Sequence, residues 1–375
     1  MPKQRIIAFY LPQYHAITEN DEWWGKGFTD WINVVRGKPR FRGHYQPHLP
    51  ADLGFYDLRH QETRIAQSEL ARAYGITGFC YHHYWFNGKM LLEKPFNEVL
   101  ASGKPDFPFC LCWANENWTR RWDGLDNEIL MKQNYDEYDP EMHMSWLVKA
   151  FSDKRYIQVD GKPLFLIYNT ADIQDLSSKI SIWRKTAKKS GFENLYLCSV
   201  NSVHNRMSDT ESINLGFDAL VDFIPNMETL KFKKKTYLPK YFLYLLINKL
   251  IILLRLENKV NTLPLTSVFS YKAIANHKMN KQFNNYKILP CVIPSWDNSA
   301  RKKISNVIQN EDPILYQKWL NAALKSVGHY SAEEQIVFIN AWNEWAEGCH
   351  LEPDLKNGRK FLEATLNALK DYKCK

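Results

Sequence analysis

No glycine-rich turn follows the first apolar run of this 375-residue chain. That absence disfavours a dinucleotide-binding fold, whose first strand feeds such a turn. Cysteine is scarce and unpatterned, with seven residues at 80, 110, 112, 198, 291, 349 and 374. The "CLC" at 110–112 has the wrong spacing for a zinc knuckle or a redox pair, and no second cluster completes it, so no metal is expected. Cys80, Cys110, Cys112, Cys198 and Cys291 lie in strand-like apolar runs, where a free thiol acts as a small core hydrophobe, and are read as reduced. The N-terminus "MPKQRIIAFYLPQYH" starts basic, but Gln13, Tyr14 and His15 cut its apolar run short and no cleavage site follows. A reducing cytoplasm is the compartment expected from this. Charge of one sign is not concentrated either. The formal +8 comes from 49 Lys+Arg against 41 Asp+Glu and is spread thinly apart from "KFKKK" at 231–235 and "RKK" at 301–303. Both runs read as solvated surface, and the balance carries no nucleic-acid signature.

What is present is apolar and aromatic. Hydrophobic residues make up 45% and aromatic ones 14%, with 13 Trp, 20 Tyr and 20 Phe. Flat rings with polar edges suit a site that grips sugar faces, and they equally suit a large core. Eight β-branched and aromatic runs recur: "RIIAFYL" from 5, "ITGFCYHHYW" from 76, "FPFCLCWA" from 107, "PLFLIYN" from 163, "LYLCSV" from 195, "ALVDFI" from 219, "LPCVIP" from 289 and "QIVFIN" from 335. Continuous apolarity without alternation is the pattern of strands buried on both faces. Helical stretches separate most of them, such as 57–75, opening on Asp57 and closing on Gly75, and 177–191, closing on Gly191. Eight such units predict an α/β fold of the (β/α)8 TIM-barrel type, one domain over 1–375 with an insertion at about 227–270 between the sixth and seventh strands. Within the insertion, 241–256 is too short to span a bilayer comfortably and carries Asn248, Lys249 and Arg255. It fits a peripheral contact with the inner membrane through a lysine-flanked interfacial helix. The competing expectation, preferred here, is a barrel helix plus a surface insertion.

A barrel demands that chemistry collect just past the C-terminal ends of the strands. There the sequence has "PQYH", "HHYW", "NENWTRRWDG", "SWDN" and "AWNEWAEG". The last follows the eighth run and sets Glu344 and Glu347 three residues apart, between Trp342 and Trp345. On a helical turn such residues share a face with Cβ atoms about 5–6 Å apart. Carboxyl groups that close suit retaining glycoside chemistry, and their repulsion raises the pKa of one so that it can donate a proton. An exposed helix face is the ordinary alternative for glutamates at this spacing.

The segment "NEWAEGCHLEP" resembles the catalytic segment of the family 99 glycoside hydrolases, the endo-α-mannosidases and mannanases. The longer set "AFYLPQYH", "GFTDW", "GITGFCYHHYWF", "CWANENWTRRWDG" and "PSWDN" resembles the WbsX-type proteins, family-99-like members found with O-antigen and capsule assembly genes. The resemblance runs from about residue 5 to 360, except in the insertion. It implies a retaining mechanism in which Glu344 acts as base on the sugar's own 2-hydroxyl, giving a 1,2-anhydro sugar, while Glu347 is the general acid/base. Glu352 is implied to be an orienting or substrate-binding residue. Ala346 stands where the hydrolases commonly have His, and His350 where they commonly have Gln, which leaves mannose specificity open.

The remaining clusters supply candidate substrate contacts. These are Tyr10, His82, His83, Tyr84, Asn115, Glu116, Asn117, Trp118, Trp296, Asp297, Asn343 and Glu352, with Trp118, Trp122 and Trp296 as stacking platforms and Tyr10 and Asp297 lining the mouth. A metal held by His82, His83 and an acid is disfavoured because adjacent strand residues face opposite ways. The partner expected is an oligosaccharide or polysaccharide, with no cofactor and no nucleic acid. Two rival expectations are a nucleotide-sugar glycosyltransferase and a non-catalytic glycan-binding barrel.

Overall fold

The computed structural model describes residues 4–120, 125–237, 250, 265–281 and 286–373. Eight strands form a closed parallel barrel: β1 Arg5–Tyr10, β2 Gly78–Phe86, β3 Phe109–Trp113, β4 Lys162–Ile167, β5 Tyr196–Val200, β6 Ala219–Asp222, β7 Ile288–Val292 and β8 Ile336–Ile339. Each is one of the eight apolar runs. Closure is explicit in the register, because β1 pairs with β2 through Ile7↔Gly78 and with β8 through Arg5↔Ile336. Helices follow the strands in turn, from Gln61–Ala73 after β1 to Lys360–Lys373 after β8. Strands covered by helices outside and side chains inside have no solvated face, which is why their runs are apolar without alternation.

Local chemistry sets the details. The helix expected from Asp57 begins instead at Gln61, because the Asp57 carboxylate accepts hydrogen bonds from the backbone and guanidinium of Arg59 and so stabilises a turn. The insertion is not simply a surface loop. Its strand Lys233–Tyr237 pairs with Leu265–Ser270, which joins Ile304–Gln309 and Trp296–Asp297 in a second, four-stranded sheet at the mouth. Lys233, Lys234 and Lys235 are exposed, as expected of a solvated run. Segment 241–256, proposed as a membrane contact, lies outside the described residues apart from Leu250. Among the described residues no helix is long and apolar enough to cross a membrane. Six cysteines, Cys80, Cys110, Cys112, Cys198, Cys291 and Cys349, are free and buried.

The barrel interior is packed at the level of Phe9, whose ring meets His82, Phe223 and Phe338 at centroid distances of 5.6, 5.1 and 5.3 Å. These rings form a floor, and the cavity lies above them. At the opposite end β2 starts under tight constraint. A Cβ on Gly78 would lie 2.7 Å from Ile157 Cδ1 and 2.9 Å from the Pro108 carbonyl oxygen. That oxygen accepts the Phe79 backbone N–H and cannot retreat freely. Gly78→Ala is expected to lower stability by about 1–3 kcal/mol through overpacking, measured by denaturant unfolding. An unchanged midpoint would show that the strand has slack there.

Candidate active site

The chain leaves β8 through a short hairpin in which Asn343–Glu344 pairs with Cys349–His350. Trp345–Glu347 forms a single 3-10 turn between the two arms, closed by Gly348 at φ +53°. Residues three apart eclipse in a 3-10 turn, so Glu344 and Glu347 share one side of the hairpin although no α-helix carries them. Gly348 is required twice. Its φ is left-handed, and a Cβ there would lie 3.0 Å from Asp297 Cβ and 3.2 Å from His48 Cε1.

Asn343 docks this hairpin on the barrel. Its amide donates to the Leu11 carbonyl at 3.0 Å and accepts from the Leu11 N–H at 2.8 Å, so it acts as an extra rung beyond β1. The Tyr14 hydroxyl donates to the Asn343 carbonyl and accepts from the Trp345 N–H. Below, the buried Glu352 carboxylate accepts from Tyr56 (2.8 Å), Trp345 (2.7 Å) and Gln67 (2.7 Å). Burial pushes Glu352 up to about 7.

Both glutamates meet one cation. Arg301 Nη2 lies 2.8 Å from Glu344 Oε1, and Nη1 lies 3.1 Å from Glu347 Oε1. Nη2 also pairs with Asp30. Burial, the Glu347 charge and Asp30 push Glu344 up to about 8, against the opposing pull of Arg301. Burial acts on Glu347 too, but Arg301, Lys302 and the indole N–H of Trp296, 3.2 Å from Oε2, hold it below the ordinary glutamate range. The pair therefore carries one proton near neutral pH, placed on Glu344, as expected of two acids in unequal surroundings.

The glutamates line a cavity of about 340 Å³ at the C-terminal mouth of the barrel. Of the expected contacts, His82, Tyr84, Glu116, Asn117, Trp118 and Trp296 line it as well. Burial lowers His82 to about 4, leaving the imidazole neutral, and its Nδ1 has no hydrogen-bond partner. Glu116 faces His204 across 3.8 Å.

The other expected contacts are elsewhere. Tyr10 points outward because strand residues alternate, and Phe9 takes the inward place. The Tyr10 hydroxyl donates to Gln67 in the helical layer at 2.7 Å. His83 faces outward for the same reason, stacked on Trp146 at 4.6 Å and hydrogen-bonded to His143 at 2.9 Å. Asn115 is occupied with both backbone groups of Asn169. Asp297 is tied to His44 and Gln46 on the rim of a second cavity. Asn343 and Glu352 brace the hairpin from beneath. Trp122 lies outside the described residues.

Sequence reasoning missed Arg301 and Asp30. "RKK" was read as solvated surface, yet the Arg301 side chain is only 9% exposed. Its one sequence signal was position, four residues after Asp297 in the loop following β7. Asp30 lies far away in the sequence, and its one signal was its place in "GFTDW". His204, Lys302, Tyr168 and Trp24 also belong to the cavity wall.

Residues 6–365 match the family described as "Glycosyltransferase WbsX". Two proteins described as "Uncharacterized protein WxcX", from two strains of Xanthomonas campestris pv. campestris, are 37% and 36% identical over 366 residues. The match covers 97% of this chain and 49% of each of theirs, so the chain spans about half the length of the curated relatives it matches. Two structures of the GH99 endo-α-mannosidase of Bacteroides thetaiotaomicron, one in complex with bis-tris-propane, share the fold at 12% identity with TM-scores of 0.56 and 0.58, covering 99% of this chain and 98% of theirs. A structure described as a glycoside hydrolase-like protein superposes with a TM-score of 0.58 at 14% identity, covering 98% and 94%. Because the family model matches residues 6–365, nearly its whole length, the chain belongs to the WbsX glycosyltransferase family.

Proposed function

We propose that the chain is a retaining carbohydrate-active enzyme in which Glu344 and Glu347 break or re-form an α-glycosidic bond, in bacterial surface-polysaccharide metabolism. The observation that carries this reading is the pair itself: a buried Glu344 and a half-buried Glu347 on one guanidinium, at the wall of an aromatic-lined cavity. Its volume of about 340 Å³ is within the range of small-ligand sites, about 300–1,000 Å³. Trp118 and Trp296 offer ring faces to a sugar, and the neutral His82 offers a ring nitrogen to its hydroxyls.

The family-99 resemblance supports a route through a 1,2-anhydro sugar. Glu344 removes the proton of the 2-hydroxyl, whose oxygen attacks the anomeric carbon, and Glu347 protonates the departing oxygen. A water or a sugar hydroxyl, deprotonated by Glu347, then opens the three-membered ring. The unliganded site holds the required proton on the opposite member of the pair. In this reading the bound 2-hydroxyl donates a hydrogen bond to Glu344 and stabilises its ionised form, which moves the proton to Glu347. Transfer to a sugar acceptor is as compatible with the pair as hydrolysis, and that accords with the family's description as glycosyltransferases.

A screen of defined α-linked oligosaccharides and the host's surface glycan, read by mass, tests the reading. Turnover is expected without any sugar nucleotide, and a strict requirement for one would overturn it. Glu347→Gln is expected to lose about 10²–10⁴-fold in rate. An aryl glycoside whose leaving group needs no protonation should restore most of that loss. Glu344→Gln should show no such restoration, and the opposite pattern would exchange the two roles.

The working state has one proton on the pair. The kcat/KM profile should therefore fall on the basic side near pH 8, where Glu344 gives up its proton in the free enzyme. It should fall on the acidic side below the ordinary glutamate range, where Glu347 is protonated. Arg301→Gln should shift the acidic limb upward, since the cation holding Glu347 down is gone. It should also cost about 3 kcal/mol of stability by leaving carboxylates buried without a counter-charge. An unmoved acidic limb in a folded Arg301→Gln chain would sink the electrostatic account.

A further inference from the structure

Behind the glutamate hairpin lies a cluster that the proposed chemistry does not use. His48, from the loop between β1 and the first long helix, meets His350 and Asp354, from the segment after the hairpin. One potential ligand atom from each lies within 4.8 Å of the other two, and all three residues are buried. From this convergence we propose that His48 Nδ1, His350 Nε2 and an Asp354 carboxylate oxygen bind a divalent transition-metal ion of the zinc class, which ties the glutamate hairpin to the loop that carries His48.

Geometry supports the assignment. His48 Nδ1 and His350 Nε2 are 3.1 Å apart, and His350 Nε2 and Asp354 Oδ2 are 3.8 Å apart. Ligands of a tetrahedral zinc ion, bonded at about 2.0–2.1 Å, are separated by roughly 3.3 Å, which these distances bracket. A purely hydrogen-bonded cluster satisfies only the histidine pair, because 3.8 Å is too long for a hydrogen bond to Asp354.

The surroundings hold the ligands in place. His350 Nδ1 is 2.9 Å from the Glu352 carbonyl, so it carries the proton and leaves the Nε2 lone pair directed at the cluster. A backbone carbonyl in that position is a common means of orienting a metal-bound imidazole. The His350 ring is stacked on Trp345 at 3.8 Å. Asp354 Oδ1 accepts the Asn357 N–H, which leaves Oδ2 toward His350. A second cavity, of about 300 Å³, reaches the cluster on its His48 side, where Glu311, Lys356 and Asp297 also line it. Within it Lys356 pairs with Glu311, so its charge is balanced.

The link to the glutamates is short. His350 pairs with Asn343 in the hairpin ladder. A Cβ on Gly348 would lie 3.2 Å from His48 Cε1, so the His48 ring, with Asp297, packs against the turn carrying Glu347. Fixing His48 and His350 around one ion clamps both arms of the turn. The proposal does not depend on the glycan reading, because its test reads binding.

The chain purified without chelator is analysed by inductively coupled plasma mass spectrometry, then stripped and titrated with ZnCl2 by calorimetry and with CoCl2 by visible absorption. Close to one equivalent of bound metal is expected, together with the d–d bands of a four-coordinate cobalt site. His350→Gln and Asp354→Asn, each checked by circular dichroism, should weaken binding by on the order of 100-fold. No calorimetric binding by the wild-type chain, or an octahedral cobalt spectrum, overturns the proposal. So does binding that survives in both folded variants, which would mark an adventitious ion only. Where a variant fails to fold, the wild-type cobalt spectrum decides.

Discussion

A single buried guanidinium organises this site. Arg301 meets Asp30, from the segment after β1, and both Glu344 and Glu347, from the hairpin after β8. Three carboxylates around one cation leave an excess of negative charge in a largely buried place. Protonation of Glu344 relieves that excess at the least cost, because Glu347 has further support from Lys302 and the Trp296 indole. The asymmetry that acid–base chemistry needs thus follows from burial and charge balance together. Arg301 also ties the loop after β7 to the hairpin after β8 and to the helix that begins after Asp30, so the electrostatic and mechanical roles coincide.

The scaffold holds that arrangement by extending the barrel ladder beyond its strands. Asn343 bonds both backbone groups of Leu11, and Asn115 does the same with Asn169. A side-chain amide used in this way replaces a missing strand rung at the rim, where the loops diverge. Beneath the hairpin, Glu352 gathers Tyr56, Gln67 and Trp345, and the His48–His350–Asp354 cluster lies beside it. The hairpin carrying the glutamates is therefore held by a buried polar layer. Such layers set the placement of reacting groups, because an amide or carboxylate with several partners has one low-energy position.

Much of this was legible beforehand. All eight strands were visible as apolar runs, because burial on both faces leaves a one-dimensional signature. The mouth of the barrel was visible as polar and aromatic residues past those runs, because parallel strands deliver their C-terminal ends to one side. The candidate list was less discriminating. His82 and Tyr84 line the cavity, whereas Tyr10 and His83 do not. The difference is strand phase, which a continuous apolar run conceals. The helix boundary at Asp57 was misplaced because its Arg59 bond is a local contest that capping rules do not weigh.

The amino-acid sequence by itself determined the strands, their helices, the barrel they close into and the glutamate pair past the last strand. The strands, helices and glutamate pair depend on residues near one another along the chain, and the barrel follows from the number and order of those units. Only the tertiary structure decided which charge balances the pair, which glutamate keeps the proton, and that His48 lies against His350. Those outcomes depend on groups separated by tens to hundreds of residues, and a charged or imidazole side chain carries no local mark of the partner it will meet.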